Sequence, residues 1–138
     1  GLQIAFASSQ EPDEGDASYL VDGDPSTIWH TMYSITLAKY PHWVDFDAGK
    51  QKVIKGFSYL ARQDGSLNGC IKDYEIYVSN DNKNWGEPVA KGSFEKTAKL
   101  QKVMFGKPVK ARYVRLRALN EQSGQDYASG AEFTLVTE

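Results

Sequence analysis

The sequence predicts an all-β fold, and three observations carry that expectation. In KDYEIYVSN, residues 72–80, Tyr74, Ile76 and Val78 alternate with Glu75, Tyr77 and Ser79, the two-residue period of a strand with one buried face. ARYVRLRAL, residues 111–119, repeats the pattern, with Val114, Leu116 and Ala118 opposite Tyr113, Arg115 and Arg117. This alternation recurs more often than helical spacing does, and clusters of Gly, Pro, Asn, Asp and Lys punctuate it as turns.

Along the chain, further strands are expected in HWVDFDAG (42–49), VIKGFSYLAR (53–62), LQKVMFGK (100–107) and AEFTLVTE (131–138). Short strands separated by turns read as a sandwich or barrel. Two segments resist the pattern, residues 7–43 and 118–133. Long structured loops on a β scaffold usually carry function. No repeat, Pro-rich linker or low-complexity tract interrupts residues 1–138, which read as a single domain. The start at Gly1 suggests a domain excised from a larger protein.

Composition narrows the function classes. With 41% hydrophobic and 25% charged residues the chain is globular rather than disordered. Sixteen Lys and Arg against 18 Asp and Glu give a net charge of −2, and without a basic run nucleic acid is not an expected partner. No apolar stretch approaches the roughly 20 residues that span a bilayer, and GLQIAFASSQ lacks the regions of a signal peptide. Cys70 stands alone, which rules out an internal disulfide and a cysteine-based zinc cluster. A buried, inert thiol is expected there, rather than a nucleophile served by His30 or His42.

YLVDGDPSTIW gathers Asp22, Asp24, Ser26 and Thr27 around Gly23 and Pro25. Calcium takes about six to eight oxygens from carboxylates and carbonyls, and an acidic turn supplies such groups. The same segment also reads as a plain turn with a capping hydroxyl, and spacing alone leaves both readings open. It does not match an EF-hand loop.

LVDGDPSTIWHT, PHWVDFDAGK, YLARQDGSLNGCIKDYEIYVSNDNKNWGEPVAKGSF, ARYVRLRAL and the closing GAEF together resemble the factor V/VIII type C, or discoidin-like, domains. Among these the likeness is to the bacterial family 32 carbohydrate-binding modules. The resemblance implies an eight-stranded, jelly-roll-like β-sandwich. It also implies a structural Ca2+ held by the side chains of Asp22 and Thr27, the carbonyls of Tyr19 and Asp24, and Ala131 with Glu132. Such an ion would join two distant segments. Eukaryotic relatives usually link the domain's ends by a disulfide, which a lone Cys70 cannot form, so a bacterial module fits better. By that likeness the chain is a non-catalytic module of a secreted or surface glycoside hydrolase, placed outside the cell, in the periplasm or on the cell surface, and monomeric in isolation.

A sugar site needs planar polar groups for hydroxyl pairs and an aromatic face for the ring's C–H patch. His30, Arg62 and Asn68 fall where galactose-binding members of the resembling family place their polar set, implying recognition of galactose-configured glycans through an axial hydroxyl. Arginine's rigid fork suits adjacent oxygens. Tyr127 and Tyr33 are the candidate aromatic platforms. Each residue also has a plain alternative: a structural histidine, a surface ion-pair arginine and a turn asparagine. Trp29, Trp43 and Trp85 are expected in or beside the core, and His42 is expected to be structural.

Three rival functions remain. Asp45 and Asp47, on one face of a strand, are the carboxylate pair a glycosidase reading would use. Met32, Tyr33, Ile35 and Leu37, with Lys39 nearby, are the exposed apolar residues a phospholipid-binding reading would use, although a membrane is not the expected partner. A protein-binding adhesion domain would use the same loops.

Overall fold

The computed structural model describes residues 1–138. Regular structure consists of β1 Gln3–Ala7, a 3₁₀ turn Ala17–Val21, β2 Trp29–His30, β3 His42–Leu60, β4 Asp73–Ser79, β5 Ala90–Ser93, β6 Gln101–Ala118, β7 Ser129–Gly130 and β8 Glu132–Thr137. The all-β expectation is met.

Two strands, β3 with 19 residues and β6 with 18, are long enough to serve both layers of a sandwich. The first half of β3, His42–Asp47, pairs with β1 and with Tyr113–Ala118 of β6, and β4 and β5 extend that layer. The second half of β3 pairs with the start of β6 and with β8. Between the halves the β3–β6 register shifts at Asp47/Lys52 and again at Ile54/Gly56, the irregularities by which strands bend and twist around a corner. Gly49, at φ 85°, sits in that bend in a conformation that favours glycine. HWVDFDAG and VIKGFSYLAR, expected as separate strands, are therefore one, and LQKVMFGK runs on into ARYVRLRAL.

Alternation places the core as expected: Tyr74, Ile76, Val114, Leu116 and Ala118 are buried. Phe46 from one layer stacks on Phe133 of the other, with ring centroids 4.1 Å apart, and Phe57 packs against both Phe133 and Tyr74. Trp29 is buried with its indole N–H donating to the Ser9 carbonyl at 2.9 Å. Cys70 is free and buried, and His42 is buried with Nε2 donating to the Asp126 carbonyl. β1 lay outside the expected strands because a bulge between Ile4 and Phe6 breaks its alternation.

The outer face of the larger layer is built of cross-strand ion pairs. Arg115 grips Asp45 through two hydrogen bonds of 2.6 and 2.9 Å, Arg112 grips Asp47 in the same way, and Arg117 binds Glu75. The Arg115 guanidinium lies 4.4 Å from the Trp85 ring and 5.6 Å from the Trp43 ring. Those two tryptophans thus cover the sheet from outside, over a buried carboxylate, while Trp29 alone of the three enters the core. Asp45 is held by its ladder partner Arg115, and Asp47, registered opposite Tyr113, by the neighbouring Arg112, so they do not form a catalytic pair.

Because the Asp45 side chain is only 4% exposed, removing its partner leaves a buried charge without compensation. Arg115→Ala is expected to cost about 3 kcal/mol, and Arg112→Ala, beside the more exposed Asp47, less than about 1 kcal/mol. Equilibrium urea unfolding of both variants checks the order.

Candidate functional site

The early and late loops meet where β3 begins and ends. Trp29–His30 pairs antiparallel with Ser129–Gly130, and Thr31 clamps Ala128 through both backbone and hydroxyl. On its other edge, the His30 backbone bonds to Glu11 and Gly15. Gly15 approaches so closely that a Cβ would lie 2.6 Å from the His30 carbonyl oxygen. The buried Glu121 carboxylate accepts from the backbone N–H groups of Gly69, Ser123 and Gln125, tying the loop after β3 to the late loop. Tyr59, fully buried, donates to Ser129 and accepts from Ile71.

These contacts bring His30, Tyr33, Arg62, Asn68 and Tyr127 around one open depression of about 290 Å³. All five residues singled out for sugar binding line it, together with Glu11, Glu14 and Ile28. His30 Nδ1 lies 2.7 Å from the Thr31 carbonyl. A carbonyl only accepts, so Nδ1 carries the proton and Nε2 is left as an acceptor. Burial pushes the His30 pKa below its usual 6.5, and the Arg62 charge adds to the shift. The ring is neutral at physiological pH. Arg62 spends Nε and Nη2 on Asp64, at 2.9 and 2.6 Å, which fixes the guanidinium plane and leaves Nη1 free to donate. The ion-pair alternative for Arg62 thus holds as well, and it orients the group rather than consuming it.

Asn68 is exposed, and its hydrogen bonds to Ser66 and Ser129 involve only its backbone. Its position depends on Gly69, which has φ +84° and would place a Cβ 2.5 Å from the Ser129 hydroxyl. Tyr127 and Tyr33 flank His30, with ring centroids 5.4 and 5.1 Å away. Tyr127 is held by the Tyr40 hydroxyl on its carbonyl, and Tyr33 by its own hydroxyl donating to Glu14. Glu11, by contrast, accepts from the Tyr33 and Ser34 backbones and shapes the loop from within. Asp64, Glu14 and Ile28 escaped the sequence reading. An Arg-x-Asp spacing beside a turn was the available signal for Asp64, whereas nothing local marks the other two.

The residues expected around an ion also converge in part. Asp22 caps the 3₁₀ turn that contains Tyr19, and its carboxylate accepts from Asp24 N and the Thr27 hydroxyl. The Thr27 hydroxyl also lies 3.0 Å from the Asp24 carbonyl. Asp24 directs its carboxylate to Ser26, so only its carbonyl faces this group. Glu132 Oε1 is buried without a partner, and its pKa is raised by burial and then by the nearby Asp22 charge. Ala131 is buried next to it in sequence. No three acidic, His or Cys side chains cluster tightly enough to hold a metal on their own. The group fits a hard cation bound by two carboxylates, a hydroxyl and carbonyls, and an unpartnered buried carboxylate oxygen is the kind of atom a cation would satisfy.

Of the apolar loop residues, Ile35 is 75% exposed, Leu37 41% and Tyr33 45%. Met32 is half-buried, and Lys39 pairs with Asp126 at 3.7 Å. No helix of the structure is long and apolar enough to cross a membrane.

An open pocket that combines a neutral histidine, an oriented arginine, a free amide and two tyrosines, on a β-sandwich whose strand carboxylates are held by arginines, defines a non-catalytic carbohydrate-binding module. The chain belongs to the F5/8 type C domain family, which matches residues 5–133. It is 43% identical over 135 residues to a sialidase of Micromonospora viridifaciens, covering 95% of this chain and 20% of that protein. Among solved structures, it is similar to CpGH89CBM32-5 of Clostridium perfringens, in complex with GalNAc-β-1,3-galactose, at 34% identity, TM-score 0.88 and coverage of 97% and 94%. It is also similar to the family 32 module of C. perfringens NanJ, in complex with galactose, at 28% identity, TM-score 0.84 and coverage of 97% and 92%. The chain therefore spans about a fifth of the sialidase's length.

Gly69→Ala is expected to cost about 1–3 kcal/mol through its positive φ and its contact with Ser129. In amide NMR spectra the displaced shifts are expected in residues 63–69 and 127–130, with β4 unchanged. Thermal unfolding supplies the stability, and an unmoved Asn68 amide would contradict this account of the loop.

Proposed function

We propose that the chain binds terminal galactose-configured sugars through His30, Arg62 and Asn68, with Tyr127 or Tyr33 against the ring. The observation that carries this reading is the pairing of an acceptor, His30 Nε2, with the free donors of Arg62 in one pocket. A sugar hydroxyl donates to the first and accepts from the second, and the free Asn68 amide supplies both functions to a neighbouring hydroxyl. An axial hydroxyl placed between histidine and arginine distinguishes galactose from glucose. Anionic phospholipid suits the pocket less well, since Glu11 and Glu14 line it and Lys39 already pairs with Asp126. Similar modules solved with galactose and with GalNAc-β-1,3-galactose support the reading. The same reading makes the chain a targeting module of a longer, exported bacterial carbohydrate-active enzyme, with Asp22, Thr27, Glu132 and the carbonyls of Tyr19, Asp24 and Ala131 holding a structural Ca2+. Calcium there would neutralise the Asp22–Glu132 pair and join the early turn to β8.

Titration calorimetry is expected to give galactose and N-acetylgalactosamine dissociation constants in roughly the high-micromolar to millimolar range, with glucose weaker. Arg62→Ala is expected to lower affinity by about 30-fold or more while leaving the melting temperature in place. Because the folded pKa of His30 lies below 6.5, affinity should be level above that pH. It should fall as pH drops through the lowered pKa, where Nε2 gains a proton and faces Arg62 as a second donor. Equal binding of glucose, or an Arg62→Ala variant with full affinity, overturns the assignment.

Chelation is expected to lower the melting temperature by about 5 °C or more, with recovery on adding Ca2+ but not Mg2+. Asp22→Ala should abolish the calcium response. A melting curve indifferent to complete metal removal counts against the ion.

A further inference from the structure

A second depression, of about 320 Å³, adjoins the first and shares Ile28 with it. Its remaining walls are Pro25, Ser26, Gln63 and Asp64. The Arg62–Asp64 pair joins the two spaces, because Arg62 lines the first and Asp64 the second. Resting on the galactose reading of the first depression, we infer that the second is a subsite for the next sugar, and that the preferred ligand is a neutral disaccharide or longer glycan.

The chemistry of the walls sets the class of that second ring. Gln63 commits its amide N–H groups to the carbonyls of Ala61 and Ala98, at 2.7 and 2.9 Å, which leaves its Oε1 as the remaining acceptor. Asp64, with its side chain 53% exposed, keeps acceptor capacity beyond its two bonds to Arg62. The Ser26 hydroxyl donates to Asp24 and leaves its own lone pairs free. Acceptors therefore dominate, and they suit the hydroxyl donors of an uncharged sugar while opposing a uronic or sialic carboxylate. Pro25 and Ile28 supply the apolar contact that a ring's C–H face needs. Pro25 and Ser26 belong to the same turn as Asp22 and Thr27, so the proposed ion would hold this wall in place as well.

The test compares methyl galactoside with lactose, melibiose and lacto-N-biose by calorimetry on the wild type, Ser26→Leu and Pro25→Ala. Ser26→Leu fills the second depression and Pro25→Ala trims it, and neither residue lines the first. At least one disaccharide is expected to bind the wild type about five-fold tighter than methyl galactoside. Both variants should lose most of that gain and keep methyl galactoside affinity within about two-fold. Melting curves of the variants confirm that the turn is folded. Disaccharides no tighter than methyl galactoside, or a gain that survives in both folded variants, overturns the subsite and leaves the galactose site standing. Absence of methyl galactoside binding in the wild type overturns the galactose reading and the subsite together.

Discussion

The antiparallel pairing of Trp29–His30 with Ser129–Gly130 joins loops that lie 97 residues apart at the adjacent Thr31–Ala128 contact. It costs loop-closure entropy and returns only a short ladder. The contact is affordable because both sides are anchored elsewhere. Trp29 is buried in the core, Tyr59 holds Ser129 from beneath, and Glu121 gathers amides from two loops. Without that closure His30 would not stand beside Tyr127, and Arg62 and Asn68 would lack the histidine and tyrosine that complete their pocket.

The polar groups around the first depression are arranged by neighbours that do not line it. A carbonyl fixes the His30 tautomer, a carboxylate fixes the Arg62 plane, and a glycine at positive φ lets the Asn68 loop lie against Ser129. Preorganisation of this kind matters most where the ligand is small and well hydrated, since little affinity is left to order the site on binding. The open shape of the pocket matches a weak ligand rather than an enclosed one.

The sandwich beneath is stabilised by two different kinds of packing. Aromatic rings from both layers stack between them, whereas the outer face of the larger layer is covered by arginines bound to carboxylates and flanked by indoles. An arginine held at once by Asp45 and two tryptophan faces explains how a nearly buried aspartate is tolerated in a strand. It also explains why a carboxylate pair that looks catalytic in one dimension is structural in three.

By itself the sequence determined the fold class and the inward faces of the strands, because a two-residue alternation such as Tyr74, Ile76 and Val78 needs no partner to be read. It also marked His30, Arg62, Asn68, Tyr127 and Tyr33, through the family resemblance of the motifs that carry them, since each residue taken singly has a plain structural reading. The irregular β1 was hidden by its bulge, and the fusion of separate-looking strands into β3 and β6 was hidden because a bent corner at Gly49 reads as a turn. Only the tertiary structure decided that Asp45 and Asp47 are paired, that Asp64 orients Arg62, and that a second depression adjoins the first. Those outcomes depend on which strands and loops become neighbours, and pairing partners across the sheet are set by packing and register rather than by any local property of the residues.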